Sequence, residues 1–458
     1  MKYPVLQTVP WGEGPEGLHR RFPRGHHSFC LHSSGLDRYS YVGADPVGTL
    51  KIYPRSFSWT AEGKAQAFSD NPYQWLQKMG PAGLPSTFPQ FASGWLGFFS
   101  YETAPFADSA LPGRELPTDT LIGFLGLYDP IFAFDHAEKK ACVLSWGLQP
   151  DFRSDEGLAR ERIEGALTLM KRGNGVLPPF EAAVDGLFRK AESNFPRDHY
   201  LGAIRRVLEY LAAGDCYQVN LSQQFQIVSE KELDAASLFW QLVRRHPAPF
   251  SAAVDTGDLQ ILSLSPEEFF SIRGDEIVTR PIKGTRGRFR DPVRDAAALE
   301  ELRGSAKDQA ELLMIVDLER NDLGKICRPG TVEVADFKRV ESFDYVHHLT
   351  ATVKGRLQEG VHPIGALKAL FPGGSVTGAP KRRAMEILRE LEPGPRGVYT
   401  GALGFIDASG FTRFNIPIRT LEIQGQTARF GMGGGIVADS DPVSEWEETL
   451  AKAKVFLD

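Results

Sequence analysis

Cysteine is scarce: Cys30, Cys142, Cys216 and Cys327 are scattered through 458 residues, and no two of them approach C-x-x-C spacing. That excludes a zinc knuckle or a redox dithiol and predicts buried thiols in a reducing compartment. None stands in a G-x-C-x-G elbow, so no exposed cysteine nucleophile is offered. Long hydrophobic runs are missing as well. The most nearly apolar stretch, LIGFLGLY at 121–128, is interrupted by glycine and falls far short of the roughly 18 residues a membrane span needs. The opening MKYPVLQTVPWGEGPEG lacks the apolar core of a signal peptide, which predicts a cytoplasmic protein with no membrane partner. Positive charge is not in excess either. With 52 basic against 58 acidic side chains the net charge is −6, which argues against a nucleic-acid partner, because a phosphate backbone calls for an extended basic face. Nucleotide loops are also lacking. FPGGSVTGAPK (371–381) has Ala379 where a P-loop has its lysine, and FGMGGGIVADS (430–440) has Ile436 where G-x-G-x-x-G has its last glycine. What both stretches retain is backbone N–H groups able to approach an anion, with tight turns as the plainer reading of their glycines.

What is present is an ordinary globular composition, 42% hydrophobic and 24% charged, at a length that predicts two large units or one large unit plus another. Residues 1–150 are rich in aromatics, glycine and short strand-like runs: YSYVGADPVGTLKIY (39–53), SGWLGFFSYE (93–102) and LIGFLGLYDPIFAF (121–134). Residues 151–190 hold a charged helical pattern and a stretch without clear period, read as helix and linker. From 191 to 458 helices and strands alternate. YQVNLSQQFQIV (217–228) alternates like a strand, and LQILSLSPEEFFSI (259–272) with DEIVTRPIKG (275–284) reads as a strand pair turning at Arg273–Gly274. Strands that follow one another directly, with helices inserted singly, predict an α+β layered sheet.

Three groups of residues carry chemistry. Lys283 lies between an isoleucine and a glycine in TRPIKGTRGR (279–288), within a basic run that includes Arg280, Arg286, Arg288, Arg290 and Arg294. It can be a solvated charge, an anion anchor or a nucleophile. In SAKDQAELLMIVDLERNDLG (305–324), Ser305 and Asp308 stand at capping-box spacing, Gly324 at the closing position, and Asp308 and Glu311 share one helix face. Near the end of the sequence, Asp441-Pro442 begins a helix whose predicted buried stripe is Trp446, Leu450, Ala453 and Leu457, with Glu445 and Glu448 beside it. Two acidic i, i+3 pairs can converge on a hard cation such as Mg²⁺, or can be first-turn acids facing water.

Taken together, YQVNLSQQF (217–225), SLSPEEFF (263–270), TRPIKGT (279–285), AKDQAELLMIVDLERNDLG (306–324), VHHLTATVKG (346–355), FPGGSVTGAPKRRAMEI (371–387), FNIPIRT (414–420) and GGGIVADSDPVSEWEETLAKA (433–453) resemble the chorismate-utilising enzymes. The early part resembles the domain that accompanies them in anthranilate and aminodeoxychorismate synthases, through VGADP and GWLGFFSYE. The resemblance implies an anthranilate synthase component I-like fold, a large layered α/β sandwich of mostly antiparallel sheets flanked by helices. Its implied units are an N-terminal domain at 1–150 and a chorismate-binding catalytic domain at 191–458.

It also implies a magnesium enzyme acting on chorismate. Glu311 and Glu448 match the family's metal ligands, and Asp308 and Glu445 the acids beside them. Arg419 and Tyr399 match residues holding the enolpyruvyl carboxylate, assisted by backbone amides of Gly433, Gly434 and Gly435, while Ser375 and His348 match positions lining the ring. Aminodeoxychorismate synthases carry P-I-K-G-T where anthranilate synthases have alanine, so Lys283 is the implied nucleophile, attacking C2 as the C4 hydroxyl leaves, before ammonia attacks C4 and expels it. That needs an uncharged amine, with a pKa brought from about 10.4 toward roughly 7–8. Glu267, matching the family's S-P-E glutamate, would protonate the departing hydroxyl from a raised pKa. With no glutaminase cysteine elbow in the chain, ammonia is expected from a separate glutamine amidotransferase subunit, and with no lyase segment the product is expected to be 4-amino-4-deoxychorismate, a precursor of 4-aminobenzoate and folate. Anthranilate synthase component I, and a non-catalytic regulator that binds chorismate or tryptophan, are the other readings. The chain departs from the family at Pro417, within the usual N-I-A-I-R-T, at Met432, and in lacking an L-L-E-S signature, where FCLHSSGL (29–36) stands instead.

Overall fold

In the computed structural model, residues 4–22, 24–80, 91–172, 191–343 and 346–457 are described. Two sheets of 12 strands each dominate them, and neighbouring strands run antiparallel. Helices flank the sheets, so the architecture is α+β. In the first sheet the early strand Phe29–His32 lies beside Phe250–Asp255. In the second, Gly94–Phe99 lies beside Ala402–Asp407. Residues before 151 and after 190 thus share both sheets. The inner faces meet in a core of aromatic and aliphatic side chains, among them Phe29, Ile52, Trp95, Phe98, Leu125, Ile261, Phe270 and Phe405. Tyr41 of the first sheet meets Phe405 of the second edge to face, with ring centroids 6.1 Å apart. A further core forms where helices such as Ala235–Arg245 and Pro442–Leu457 pack on the first sheet, through Leu238, Phe239 and Phe456.

Several runs that read as single strands are divided. LQILSLSPEEFFSI becomes Gln260–Ser265 in the first sheet and Glu268–Arg273 in the second, broken at Pro266–Glu267. LIGFLGLYDPIFAF divides at Asp129-Pro130 into Gly123–Tyr128 and Ile131–Asp135, and YSYVGADPVGTLKIY into Tyr39–Gly43 and Gly48–Tyr53. In each case the chain changes sheets at a corner holding a proline, which donates nothing to a ladder and suits a corner better than a strand interior. Pro417 belongs to the same class. It lies between Thr412–Asn415 of the second sheet and Thr420–Gln424 of the first, outside either strand.

Ser305 caps the helix Ala306–Gly324, accepting from the backbone N–H of Asp308 at 3.2 Å, and Gly324 is the last helical residue rather than the one after it. Asp441 caps Pro442–Leu457 through the N–H of Ser444 at 2.9 Å. The buried face of that helix is Glu445, Thr449, Ala453 and Phe456; it keeps Ala453 of the expected stripe and has the preceding residue in place of each of the other three. The reason is polar: Glu445 accepts from Ser440 Oγ at 2.6 Å and Thr449 accepts from Gln223 Nε2 at 2.7 Å, which turns both inward. Trp446 lies beside them, its ring under the Arg197 guanidinium at 5.1 Å. Cys30, Cys216 and Cys327 are buried and Cys142 is half-buried. Among the described residues no helix is long and apolar enough to cross a membrane.

Candidate active site

A cavity of about 560 Å³ opens where the two sheets, the helices Ala306–Gly324 and Pro442–Leu457 and several loops meet. Two sheet-changing corners form its floor. At one, Glu267 follows Pro266; at the other, Arg419 precedes strand Thr420–Gln424. They are tied together: Ser265 Oγ donates to the Ile416 carbonyl at 2.6 Å, the Ile416 N–H to the Glu267 carbonyl at 3.2 Å, and the Leu264 N–H to the Arg419 carbonyl at 2.9 Å. Arg419 is held at φ 51°, a left-handed conformation that costs a non-glycine residue on the order of 1 kcal/mol. Its guanidinium faces the cavity, burial pulls its pKa below the usual value, and no side chain among the described residues bonds to it. A guanidinium there is able to receive an anion.

Lys283 is aimed by a bulge. The strand Ile282–Gly287 pairs with Val346–Arg356 so that Lys283 opposes Leu349 and Thr285 opposes His348, with the register slipping at Gly284. Gly284 has φ +76°, and a Cβ there would stand 2.8 Å from Leu302 Cδ1 and 2.9 Å from Asp308 Cγ. Only glycine permits this close approach, and the extra residue re-aims its neighbour. Lys283 therefore enters the cavity, Nζ 3.7 Å from Glu311 Oε2, each side chain 15% exposed.

Glu267 is buried and accepts from Ser375 Oγ at 2.8 Å. Burial pushes its carboxyl up to about 7, against the opposing effects of Ser375 and Lys283. His348 is also buried, its Nδ1 2.9 Å from Thr285 Oγ1. Burial, assisted by Arg419, lowers its pKa to about 4, so near neutrality its ring is an uncharged hydrogen-bonding group. Tyr399 lines the wall, its phenol pushed up by burial.

All four helical acids line the cavity, and each meets a basic side chain. Besides Glu311 with Lys283, Asp308 accepts from Arg286 Nη2 at 3.2 Å, Glu445 lies 3.7 Å from Lys307 Nζ, and Glu448 lies 2.7 Å from Lys452 Nζ. Burial raises the pKa of Glu311, only partly offset by Lys283. Burial acts the same way on Glu448, but Lys452, Lys307 and Lys283 together outweigh it and the net shift is downward. Among the described residues no three acids, histidines or cysteines gather closely enough to enclose a metal on their own. The donor chemistry nonetheless fits a hard cation, since it is all carboxylate oxygen. Mg²⁺ is commonly held by one or two carboxylates plus substrate and water.

Of the residues picked out from sequence, Lys283, Glu267, His348, Tyr399, Arg419, Ser375, Gly433, Gly435, Glu311, Glu448, Asp308 and Glu445 come together here. Gly434 does not line the cavity. Strand residues alternate in direction, and a Cβ on Gly434 would point instead toward Glu445, 3.4 Å from its Oε2. Lys307, Lys452 and Asn220 also line it and were not singled out. Lys452 carried a readable signal, four residues after Glu448 on one helix face, and it also donates to the Gly433 carbonyl at 3.1 Å.

The chorismate binding enzyme family matches residues 27–458. Aminodeoxychorismate synthase component 1 of Salmonella typhimurium is 36% identical over 469 aligned residues, covering 99% of this chain and 98% of the relative. Anthranilate synthase component 1 of Streptomyces coelicolor is 36% identical over 444, covering 93% and 81%. The crystal structure of anthranilate synthase component I from Streptococcus pneumoniae superposes with a TM-score of 0.80 at 30% identity, covering 92% of each chain. With that family's match spanning all the cavity residues named above, the chain belongs to the chorismate binding enzymes, a family of chorismate-utilising enzymes.

Proposed function

We propose that this chain aminates chorismate at C4, forming 4-amino-4-deoxychorismate for 4-aminobenzoate and folate synthesis, with ammonia supplied by a glutamine amidotransferase subunit. The observation that carries the reading is Lys283, aimed by the Gly284 bulge into the cavity that also holds the buried acid Glu267.

In this mechanism Arg419 and Tyr399 take the enolpyruvyl carboxylate, and Ser375 and His348 border the ring. Glu311 and Glu448, with Asp308 and Glu445 beside them, would hold Mg²⁺, which when bound supplies positive charge for a substrate carboxylate. Lys283 Nζ, uncharged, forms a bond to C2; the ring double bonds shift and the C4 hydroxyl departs. Glu267, with a pKa of about 7, keeps a substantial protonated fraction near neutrality and in that form gives the hydroxyl its proton, so it leaves as water. Ammonia then forms the C4–N bond, the double bonds shift back, and the C2–Nζ bond breaks. Glu267, now a carboxylate, takes the proton that ammonia sheds.

Denaturing mass spectrometry of enzyme quenched with chorismate is expected to show an adduct on Lys283. A Lys283→Ala variant with full aminodeoxychorismate formation would remove the covalent step. The second reading, anthranilate synthase component I, is favoured by the Streptomyces coelicolor relative, which has the same 36% identity as the aminodeoxychorismate synthase, over a smaller share of both chains. Incubation with chorismate, Mg²⁺ and ammonium decides between them, since direct formation of fluorescent anthranilate would reject the first.

A further inference from the structure

The loop that carries Tyr399, residues 395–401, is neither helix nor strand. Its backbone N–H groups have no ladder partners and must be satisfied elsewhere. Two carboxylates from distant parts of the chain do so. The N–H groups of Arg396 and Gly397 donate to the two oxygens of Glu102, at 2.7 and 3.0 Å. The N–H of Val398 donates to Glu422 Oε1 at 2.7 Å, and that of Tyr399 also reaches Glu422. Thr400 follows, its N–H on the Pro417 carbonyl at 3.2 Å. Gly397 has φ +69°, and a Cβ there would lie 2.3 Å from Glu422 Oε1. Thr400 is held at φ 63°, a conformation that persists only where the surroundings over-determine it.

The Arg396 side chain extends the same grip. Fully buried, it stacks on the Tyr101 ring at 4.6 Å and is paired with Glu392 at 2.7 Å. It donates to the carbonyls of Val376 at 2.8 Å and Asn220 at 2.6 Å, and to Thr400 Oγ1 at 3.3 Å. Asn220 Nδ2 in turn donates to the Ser375 carbonyl at 3.1 Å, and Ser375 Oγ holds Glu267. A continuous chain of bonds thus runs from Glu102, in the early part of the sequence, to the buried acid in the cavity.

We infer that Glu102, Glu422 and Arg396 are positioning residues: they set the placement of Tyr399 and of the Asn220–Ser375 wall against the substrate, so the early segment takes part in the reaction without touching it. The kinetic half of the test rests on the proposed amination of chorismate; the structural half does not. Glu102→Gln leaves one carbonyl acceptor where two N–H groups need one each, and Gly397→Ala puts a methyl against Glu422. In full-length protein without ligand, hydrogen exchange at amides 396–400 is expected to quicken by about tenfold or more in both variants, with strand Gly48–Tyr53 unchanged. With chorismate and ammonium, kcat/KM is expected to fall by up to about 10²-fold, a misplacement effect, at unchanged folded fraction, and Glu102→Asp, which keeps two acceptors, is expected to recover part of it. Unaltered exchange in the loop, or losses that track only the folded fraction, would overturn the inference. Wild-type protein inert toward chorismate would count against the proposed function, while the exchange result would still decide the clamp.

Discussion

Glu267 holds a proton that an ordinary carboxyl would have released, and this has a thermodynamic signature of its own. Its pKa is about 7 in the fold against an ordinary 4.5. Below about pH 4.5 it is protonated in folded and unfolded chains alike, so it contributes no difference. As pH rises from there to 7 the unfolded chain releases the proton first, and the folded state is penalised until the penalty is complete above 7. Glu267→Gln is therefore expected to melt with wild type at pH 4.5 and above it at pH 8, by at most on the order of 3 kcal/mol, since each pKa unit is worth about 1.4 kcal/mol. A melting difference independent of pH would mean that the carboxyl is not buried in its acid form. Turnover of the same variant is expected to drop about 10²–10⁴-fold, the usual reach of a general acid. Gly284 offers a second check at this scale. Gly284→Ala meets both a left-handed φ and the Leu302 and Asp308 contacts, so a loss of about 1–3 kcal/mol in thermal or urea unfolding is expected, along with loss of the Lys283 adduct. The lysine was legible because its neighbours spell a motif. Lys307, which lies opposite Glu445 on another helix, was not, because nothing local announces a partner far along the chain.

At the scale of elements, periodicity located several helices and strands, Ala306–Gly324 and Pro442–Leu457 among them, and misjudged where some of the strands stop. The runs at 39–53, 121–134 and 259–272 each carry strand pattern on both sides of a proline. Pattern alone cannot tell a strand that bends from two strands in different sheets, because both bury alternate residues. The corners matter most, since Glu267 and Arg419 stand on two of them. Pro417, where the chain departs from the family's N-I-A-I-R-T, is part of such a corner. Helix Pro442–Leu457 shows the complementary error. An apolar stripe was expected to face inward, yet two polar residues do, because they have partners there. Thr449 accepts from the buried Gln223 Nε2 at 2.7 Å. Thr449→Val keeps the shape and strands that amide, so a loss of about 1–3 kcal/mol is expected, whereas an inward stripe of Trp446 and Leu450 would make the substitution nearly neutral. Chemical denaturation of the variant distinguishes the two.

For the molecule as a whole, what matters is that both sheets are continuous across the early and late parts of the sequence. Strand Phe250–Asp255 has Phe29–His32 on one side, and Ala402–Asp407 has Gly94–Phe99. Sequence pattern says which residues pair with a sheet face and nothing about which strand 200 or more positions away lies alongside, so this sharing was not legible. Its consequence is cooperative. If residues 191–458 are produced alone, two largely apolar six-residue strands become open edges, the condition that favours aggregation, and the inner core loses Phe29, Trp95 and Phe98. That fragment is expected to be insoluble or to unfold without a sharp transition. Co-expression with residues 1–172 is expected to restore a soluble complex, because the missing partners return as strands and not as a tethered domain. In the intact chain, tryptophan fluorescence, with Trp95 early and Trp240 late in the sequence, and far-ultraviolet circular dichroism are expected to report one coincident transition. Two separated transitions, or a 191–458 fragment that folds and melts sharply by itself, would show that the shared sheets do not couple the two parts.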